Sequence, residues 1–398
     1  MERAAKNPFA LPPPALMPPG HRSRPALGLA AAAARGRFAL QVCAACAAVQ
    51  YPPREACHAC LGTDLPWREV PAGGSVTALT TIRVSADPYF RAHLPWRAGL
   101  IAMDAGPNVI AHLHAGLAAG DRVRLALRLD KAGAGVMLAL PEQGPAMPDD
   151  PILRETGCDP DRRRVLISDA RHPAAPALVR AFREAGALEI FAGVPESWRP
   201  FADLPGATLV PLDATDQRSL ADAAAAIAGR VEILVDTSWR VRPGGLLDAG
   251  ALVEARAEME AGYFARLRLA QVFGPAMQAR AGDGAHAPCA WVSLVSIAGL
   301  LPMAGLHLAG GAQAAALALA RSLRPALRPL RVLTALVGPP DDAWHAALPP
   351  PKLAGPAIAS AILRALCDGR EEIAVGDIAA DALARFLDSP DIALREFT

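Results

Sequence analysis

The feature that most constrains this chain is a set of four closely spaced cysteines. Cys43 and Cys46 enclose two residues, Cys57 and Cys60 enclose two more, and ten residues separate the pairs. Each C-x2-C loop can turn two thiolates onto one ion, so two loops complete a tetrahedral shell of four sulfurs. A closed shell leaves no position for a catalytic water, and the pattern therefore predicts a structural metal site. Zinc is favoured; ligand softness and spacing leave iron open.

The alternative interpretation of these cysteines is a pair of redox dithiols. Thioredoxin-like C-x-x-C motifs stand at the start of a helix in a βαβ unit, and no such pattern surrounds either pair. The chain has seven cysteines, an odd number that argues against a disulfide framework. We expect the other three to be ordinary thiols in a reducing compartment: Cys158, Cys289 and Cys367.

Charge and composition exclude several classes of function. Lys and Arg number 40 against 39 Asp and Glu, and aromatic residues make up only 5% of the 398 residues. An even charge balance argues against a nucleic-acid or polybasic membrane binder, and scarce aromatics weaken any base-stacking surface. The uncharged stretch 285–320 is long enough to cross a bilayer, but Pro302, Gly310 and Gly311 interrupt it. No apolar signal segment opens the chain, so we expect a cytoplasmic protein.

Composition divides the chain into five segments. A Pro- and Ala-rich start with one helix is followed by the cysteine box, and then by short β-branched runs between glycines that predict a small barrel. A Pro-rich acidic linker leads to alternating strand and helix patterns, which are typical of a doubly wound parallel sheet. The predicted segments are residues 1–36, 37–66, 67–141, 142–162 and 163–398.

The last segment supplies the individual elements of the predicted sheet domain. Strands are expected at 165–168, 189–192, 208–211, 232–235, 290–295 and 330–337, and helices at 174–185, 220–228, 255–279 and 313–324. The predicted fold is therefore multidomain, with a zinc ribbon and a small β-barrel followed by an α/β doubly wound, Rossmann-like domain.

Residues around the cysteine box resemble a known family. The runs GRFALQ (36–41), YPPR (51–54), GSVT (74–77), LPWRAGLIAMD (94–104) and AGDRV (119–123) are similar to zinc-ribbon and OB-fold proteins that accompany thiolases and acyl-CoA enzymes. The resemblance covers about residues 27–141. It implies an OB-fold barrel, a thiolase-like partner subunit and an acyl-CoA channel that the barrel shapes or covers.

Within this module a few basic residues are candidates for contact with CoA phosphates. Arg83, Arg97 and Lys131 offer the charge, although three solvated basic residues are the simpler interpretation. His112 and His114 alternate onto one strand face. With no carboxylate or cysteine near them in sequence, we expect a packed or surface pair rather than a metal site.

The segment from about residue 163 resembles the short-chain dehydrogenase/reductase family. The resemblance rests on VLIS (165–168), LDATD (212–216), ILV (233–235), VSLVS (292–296) and the small-residue helix 314–324. It implies that the helices 255–279 and 313–324 pair two copies into an oligomer.

The same resemblance shows what this segment lacks. Where the family has a glycine-rich turn, residues 168–175 read SDARHPAA, and Asn-Asn-Ala-Gly is replaced by DTSW at 236–239. Asp169 brings negative charge towards a phosphate and Pro173 removes an amide donor, whereas Arg171 and His172 partly offset this. Trp239 is expected to fill space that a nucleotide needs.

The catalytic positions carried over from the family are also altered. The serine falls on Ser296, but the tyrosine falls on Ala309, the lysine on Gln313 and the helical asparagine on Gly262. Neither Ala309 nor Gln313 can supply the acid–base chemistry of tyrosine and lysine. His307 lies two residues before the position of the missing tyrosine and is a weak substitute for it. Asp213 matches a position that usually contacts the adenine of the cofactor.

The sequence therefore predicts a zinc-binding accessory subunit of a thiolase- or aldolase-like complex acting on CoA thioesters, with a non-catalytic reductase-like scaffold. No NAD(P), nucleic acid or membrane is expected to bind. Two alternatives stay open. One is an NAD(P)-dependent dehydrogenase of a hydroxyacyl- or oxoacyl-CoA that uses Ser296 and His307, and the other is a pure protein-interaction scaffold.

Overall fold

The N-terminal part of the computed structural model is a small zinc-ribbon sheet with a helix packed beside it. The structure describes residues 17–20, 23–143, 150–195, 204–282, 288–346, 348 and 351–397. Helix α1 (Leu27–Ala34) precedes an antiparallel sheet of order β2-β1-β3, formed by β1 (Ala39–Val42), β2 (Val49–Gln50) and β3 (Trp67–Glu69). A Cβ at Gly28 would lie 2.0 Å from the Trp67 ring, so only glycine allows α1 to pack this closely.

The predicted barrel is present and closes in the order β4-β5-β6-β8-β7. Buried residues alternate with more exposed ones along β7, so one face of the strand points into the barrel interior. Leu40 and the apolar residues of α1 pack onto the same hydrophobic core. Strand β8 was not predicted, because its central residues are buried on both faces and show no alternation. The elements are β4 (Gly73–Ile82), α2 (Pro88–Ala92), β5 (Trp96–Met103), β6 (Asn108–Leu113), β7 (Arg122–Leu129) and β8 (Gly135–Pro141).

The C-terminal domain is a seven-stranded parallel sheet of order β11-β10-β9-β12-β13-β14-β15. This order reverses between β9 and β12, which makes their carboxyl ends the topological switch point. The six predicted strands are confirmed to within two residues at each end, and β15 was not predicted. The strands are β9 (Arg164–Ile167), β10 (Glu189–Val194), β11 (Thr208–Pro211), β12 (Ile233–Asp236), β13 (Ala290–Ser296), β14 (Arg331–Val337) and β15 (Glu372–Val375).

Helices cover both faces of this sheet, and three of the four predicted helices begin three to six residues earlier than expected. The helix predicted at 255–279 is two helices joined by a π-helical turn at residues 260–264, and the one predicted at 313–324 begins six residues earlier. The remaining helices are α3 (Pro151–Thr156), α4 (Ala175–Glu184), α5 (Gln217–Ile227), α6 (Ala251–Met259), α7 (Ala265–Gly282), α8 (His307–Ala326), α9 (Gly355–Cys367), α10 (Asp377–Asp388) and α11 (Pro390–Glu396). No helix in the described ranges is long and apolar enough to cross a membrane.

The segment predicted as a linker contains helix α3, which joins the two halves of the chain. Arg331, the first residue of β14, is half-buried and donates to the backbone oxygens of Asp130 in the barrel and Glu155 in α3. The backbone N–H of Glu371 donates to the Ala34 oxygen at the end of α1, at 2.9 Å. The barrel therefore docks at the amino ends of β14 and β15.

The Glu155 carboxylate fastens α3 to the barrel. It accepts hydrogen bonds from Tyr89 Oη at 2.9 Å, His93 Nε2 at 2.7 Å and Lys131 Nζ at 3.0 Å. Burial by itself would raise the pKa of Glu155, but His93 and Lys131 outweigh that cost and lower the pKa to about 2. The same contact raises the pKa of His93.

Replacing this carboxylate should destabilise the junction. Glu155→Gln turns an acceptor of three bonds into an amide that points donors at Lys131 or His93, and we expect a loss of about 1–3 kcal/mol in free energy of unfolding. Denaturant unfolding followed by tryptophan fluorescence measures it. The matched control is Glu69→Gln, which removes an exposed carboxylate paired with Arg37 and should cost less than about 0.5 kcal/mol.

The destabilisation should depend on pH in a defined window. Because the folded pKa of Glu155 lies below its ordinary value of 4.5, its stabilisation is present above that value and is lost as pH falls towards about 2. The difference between wild type and Glu155→Gln should therefore shrink over this range. A difference that stays constant to the acid limit would contradict the ionic role.

Candidate functional site

The four cysteines of the box converge as the sequence predicted. Their Sγ atoms all lie within 4.8 Å of one another, with Cys43 3.5 Å from Cys60 and Cys46 3.6 Å from Cys57. A tetrahedral shell with Zn–S bonds of about 2.3 Å places its sulfurs about 3.8 Å apart, so the donor set and spacing fit zinc. It is the only group of at least three metal-ligating side chains found among the described residues.

The two C-x-x-C loops share one backbone path. In each, the residue after the second cysteine donates its N–H to the oxygen of the first cysteine and has a positive φ, 59° at Ala47 and 62° at Leu61. A left-handed conformation costs a residue with a Cβ about 1–2 kcal/mol. The Gln41 side chain bonds the backbone N–H and C=O of Arg54, which braces one loop against strand β1.

The basic residues considered for CoA phosphates have protein partners or lie apart. Arg97 donates to the backbone oxygens of His114, Ala115 and Leu117, and Lys131 donates one hydrogen bond to Glu155. Arg83 is exposed beyond the end of β4. Within the described part of the chain, no hydrogen bond or ion pair joins any two of these three side chains.

His112 has a carboxylate partner that its neighbours in sequence did not indicate. Its Nε2 lies 3.0 Å from Asp150 Oδ2, and neither side chain is more than 11% exposed. Asp150 follows 38 residues later in sequence, so only the fold brings the two together. His114 instead accepts a hydrogen bond from the Gly116 backbone N–H.

The crevice at the switch point is closed by hydrogen bonds between its two walls. Thr237, just after β12, donates its N–H to Ser168 Oγ at 2.9 Å and its hydroxyl to the Asp169 oxygen at 2.9 Å. Asp169 returns its N–H to Thr237 Oγ1 at 2.8 Å. The cavity left beside these residues has a volume of about 30 Å³. Ligand pockets usually measure roughly 300–1,000 Å³, whereas this one holds about a single water.

The start of helix α4 has no free amide for a phosphate at positions 173–176. Pro173 and Pro176 carry no N–H, the Ala174 N–H donates to His172 Nδ1 at 3.0 Å, and the Ala175 N–H donates to the His172 oxygen at 2.8 Å. Phosphate binding at a helix N-terminus depends on such N–H groups. At positions 173–176 the backbone N–H groups are therefore either absent or already hydrogen-bonded within the protein.

The positive charges expected to offset this loss are not available. Arg171 is paired with Asp169, and this contact raises the pKa of Arg171. His172 is buried edge-to-face against Trp239, with ring centroids 5.1 Å apart. Burial and the charge of Arg266 lower the pKa of His172 to about 3, so its imidazole is neutral at neutral pH. The expectation that His172 contributes charge was wrong.

A buried ion pair that the sequence analysis missed stands behind the crevice. Arg266 from helix α7 donates through Nη1 to Asp236 Oδ2 at 3.0 Å, and through Nη2 to the backbone oxygens of Ser238 and Leu294. Both side chains are almost fully buried. Asp236 replaces a family asparagine, and that substitution was the signal that a compensating cation should be sought.

The carried-over catalytic positions do not form an acid–base pair. Ser296 Oγ accepts from the Ala298 N–H at 3.3 Å, and Gln313 Oε1 accepts from the Ser296 N–H at 2.9 Å. Ala309 is fully buried, and a Cβ on Gly262 would lie 3.4 Å from Gln313 Nε2. The side chain at the lysine position is thus used as a backbone brace.

The two remaining candidates lie outside this group. His307 is exposed at the start of α8, and the Asp213 carboxylate accepts from the Thr215 N–H and hydroxyl at 2.9 and 2.6 Å. Two of the three isolated cysteines are buried, and burial raises the pKa of the Cys158 and Cys289 thiols, to about 12 at Cys289. Cys367 is exposed at the end of α9.

Comparisons with known proteins match the N-terminal and C-terminal parts of the chain to different families. Residues 30–66 match a family described as "ChsH2, rubredoxin-like zinc ribbon domain", and residues 67–128 match "ChsH2, C-terminal OB-fold domain". No curated protein sequence matches the chain.

Among solved structures, a short-chain dehydrogenase from Burkholderia cenocepacia in complex with NADP is 27% identical, with a TM-score of 0.54, over 60% of this chain and 98% of that one. A short-chain dehydrogenase from Streptomyces avermitilis is 24% identical, with a TM-score of 0.49, over 59% and 95%. The chain is a fusion of a ChsH2-type zinc ribbon and OB-fold with a C-terminal domain that has the short-chain dehydrogenase fold.

Proposed function

We propose that this protein is a zinc-binding accessory subunit of a thiolase- or aldolase-like complex that acts on CoA thioesters, with a reductase-like domain that serves as a non-catalytic scaffold. The observation that carries the proposal is a contrast within one chain. The four-cysteine centre keeps complete metal-ligand geometry, whereas the switch-point crevice is closed by hydrogen bonds and a buried ion pair. The partner would carry the reacting nucleophile.

The closed crevice also weighs against the dehydrogenase alternative on energetic grounds. A cofactor entering the crevice would have to separate Thr237 from Ser168 and Asp169. Leaving a buried polar group unpaired costs about 1–3 kcal/mol, which is roughly one to two orders of magnitude in affinity. This alternative needs Ser296, which is buried at the end of β13, and His307, which is exposed at the start of α8. No hydrogen bond joins these two side chains in the described ranges.

Association through the scaffold has support from exposed apolar side chains. Leu252 and Val253 on α6 are 65% and 67% exposed, and Phe264 in the π-helical turn is 43% exposed. Phe264 lies in the helix 255–279 predicted to pair two copies, and Leu252 and Val253 shortly precede it. We propose a homo-oligomer through this face, with the ribbon and barrel left free for the partner enzyme.

Metal content gives the first test. The purified protein should contain about one zinc per chain by elemental mass spectrometry, and Cys57→Ser, which removes a fully buried ligand, should lose the metal and unfold the ribbon. Cys367→Ser removes a thiol outside the box and should keep the full zinc content. Iron in place of zinc, or full zinc in Cys57→Ser, would contradict the proposed centre.

Nucleotide binding gives the second test. Titration of NADH and NADPH to about 1 mM in a calorimeter should give no saturable heat, because the crevice has neither space nor free amide donors. The chain alone should not oxidise a 3-hydroxyacyl-CoA. Saturable binding together with turnover would establish the dehydrogenase alternative and overturn the scaffold assignment.

Partner capture gives the third test. Native mass spectrometry of the protein co-expressed with its genomic neighbours should show a stable complex with a thiolase- or aldolase-like subunit, and removing residues 1–141 should abolish it. The isolated residues 150–398 should still associate with themselves. A complex that forms without the ribbon and barrel, or one that processes no CoA thioester, would favour the pure interaction scaffold.

A further inference from the structure

A cavity of about 330 Å³ lies where the N-terminal segment, the ribbon, the barrel and helix α3 meet. Pro18, Tyr51, barrel residues of β5, β6 and β8, and Ile152 and Glu155 of α3 all line it. The cavity is ten times larger than the space left in the switch-point crevice, at about 330 against 30 Å³. Because α3 supplies one wall, a ribbon and barrel without this helix would lack the site.

One wall of the cavity is a row of aromatic rings. Tyr89 packs edge-to-face on Phe90 at 5.3 Å, Phe90 on Trp96 at 5.1 Å, and Trp96 on His112 at 5.2 Å between ring centroids. Aromatic residues are only 5% of the chain, yet two of its three tyrosines line this cavity. Rings held in this way offer a rigid apolar surface at little cost in conformational entropy.

The other side of the cavity carries a few fixed polar groups. Glu155 is satisfied by Tyr89, His93 and Lys131, so its negative charge is balanced within the protein. Lys131 uses one N–H towards Glu155, and an ammonium has three donors. Its side chain is 17% exposed, which leaves it at the edge of the cavity with capacity for an oxygen acceptor.

Size and chemistry together define the ligand class. An apolar cavity of about 150 Å³ holds benzene, so about 330 Å³ accommodates roughly twice that bulk. We propose that this cavity binds an arylacetyl-sized apolar acyl group, with its ring or branched carbons against Trp96 and Phe90 and its carbonyl or carboxylate oxygen hydrogen-bonded to Lys131. A pocket of mainly apolar lining with a small number of placed polar groups is the usual form of a small-molecule site.

This site deepens the proposed function without depending on it. The cavity is too small for an entire CoA, so a thioester would insert only its acyl end and leave the nucleotide outside. A free carboxylic acid presents the same apolar group and an oxygen acceptor. The shared chemistry is the acyl group, and the experiment separates the two sources.

The test uses the full zinc-loaded chain with 4-fluorophenylacetate as probe. Fluorine NMR should show saturable binding with a dissociation constant on the order of 0.1–1 mM, and intermolecular Overhauser effects to the Trp96 indole. Calorimetry with phenylacetyl-CoA and with CoA alone separates the sources. Phenylacetyl-CoA that binds and is displaced by the probe, with CoA that does not bind, assigns the thioester, whereas binding of the free acid alone assigns a carboxylate.

Matched variants locate the site. Ala98→Phe places a ring in the cavity and should weaken probe binding at least about tenfold, whereas Ala102→Phe, on the same strand and face but outside the lining, should leave it unchanged. Lys131→Met keeps the side-chain length without the donor and should weaken binding by roughly tenfold. Zinc content and thermal unfolding verify that each variant is folded.

The inference is wrong if wild type shows no saturable binding of either probe, or if Ala98→Phe and Ala102→Phe bind equally. A failure of this kind leaves the proposed accessory role standing, because zinc content and partner capture do not involve the cavity. Conversely, if the chain binds the probe specifically but captures no partner, the cavity proposal is supported and the accessory role is contradicted.

Discussion

The arrangement of this molecule depends on the buried contacts of one residue, Glu155. Its backbone oxygen accepts from Arg331 of the sheet domain, and its carboxylate accepts from Tyr89, His93 and Lys131 of the barrel. An unpaired carboxylate in this position would be strongly disfavoured, so these donors stabilise the docking of α3 on the barrel. The helix thus couples the orientation of the barrel to that of the sheet.

The junction at Glu155 places the ribbon and barrel at one end of the sheet and the switch-point crevice at the other. The barrel meets β14 at Arg331, whereas the crevice lies at the carboxyl ends, where Ser296 pairs with Val337. Seven residues of extended strand span about 20 Å. One small substrate cannot touch both sites at once, which is consistent with a division of labour in which the ribbon and barrel act and the sheet domain supports them.

The sheet domain keeps the short-chain dehydrogenase fold while several polar groups at its switch point bond to each other. Thr237 bonds across the crevice, the His172 ring accepts from the amide of Ala174, and Gln313 accepts from the amide of Ser296. Arg266 and Asp236 neutralise each other in the interior. Because unpaired buried polar groups are costly, these internal partners stabilise the walls of the crevice.

Sequence alone determined the local features of this protein, while the tertiary structure decided the sites built from distant segments. The spacing of Cys43, Cys46, Cys57 and Cys60 predicted the metal centre because knuckle geometry is local, and the alternation of strands and helices predicted the parallel sheet. Strand β8 escaped because residues buried on both faces lose the two-residue period. Two ion pairs join residues 30 or more positions apart, His112 with Asp150 and Arg266 with Asp236. The cavity beside α3 is lined by four separate segments. No pattern along the chain encodes such proximity. The sequence thus specified the four metal ligands and the altered motifs of the dehydrogenase-like segment. Only folding decided which buried charges meet, because pairing in the interior depends on packing rather than on spacing.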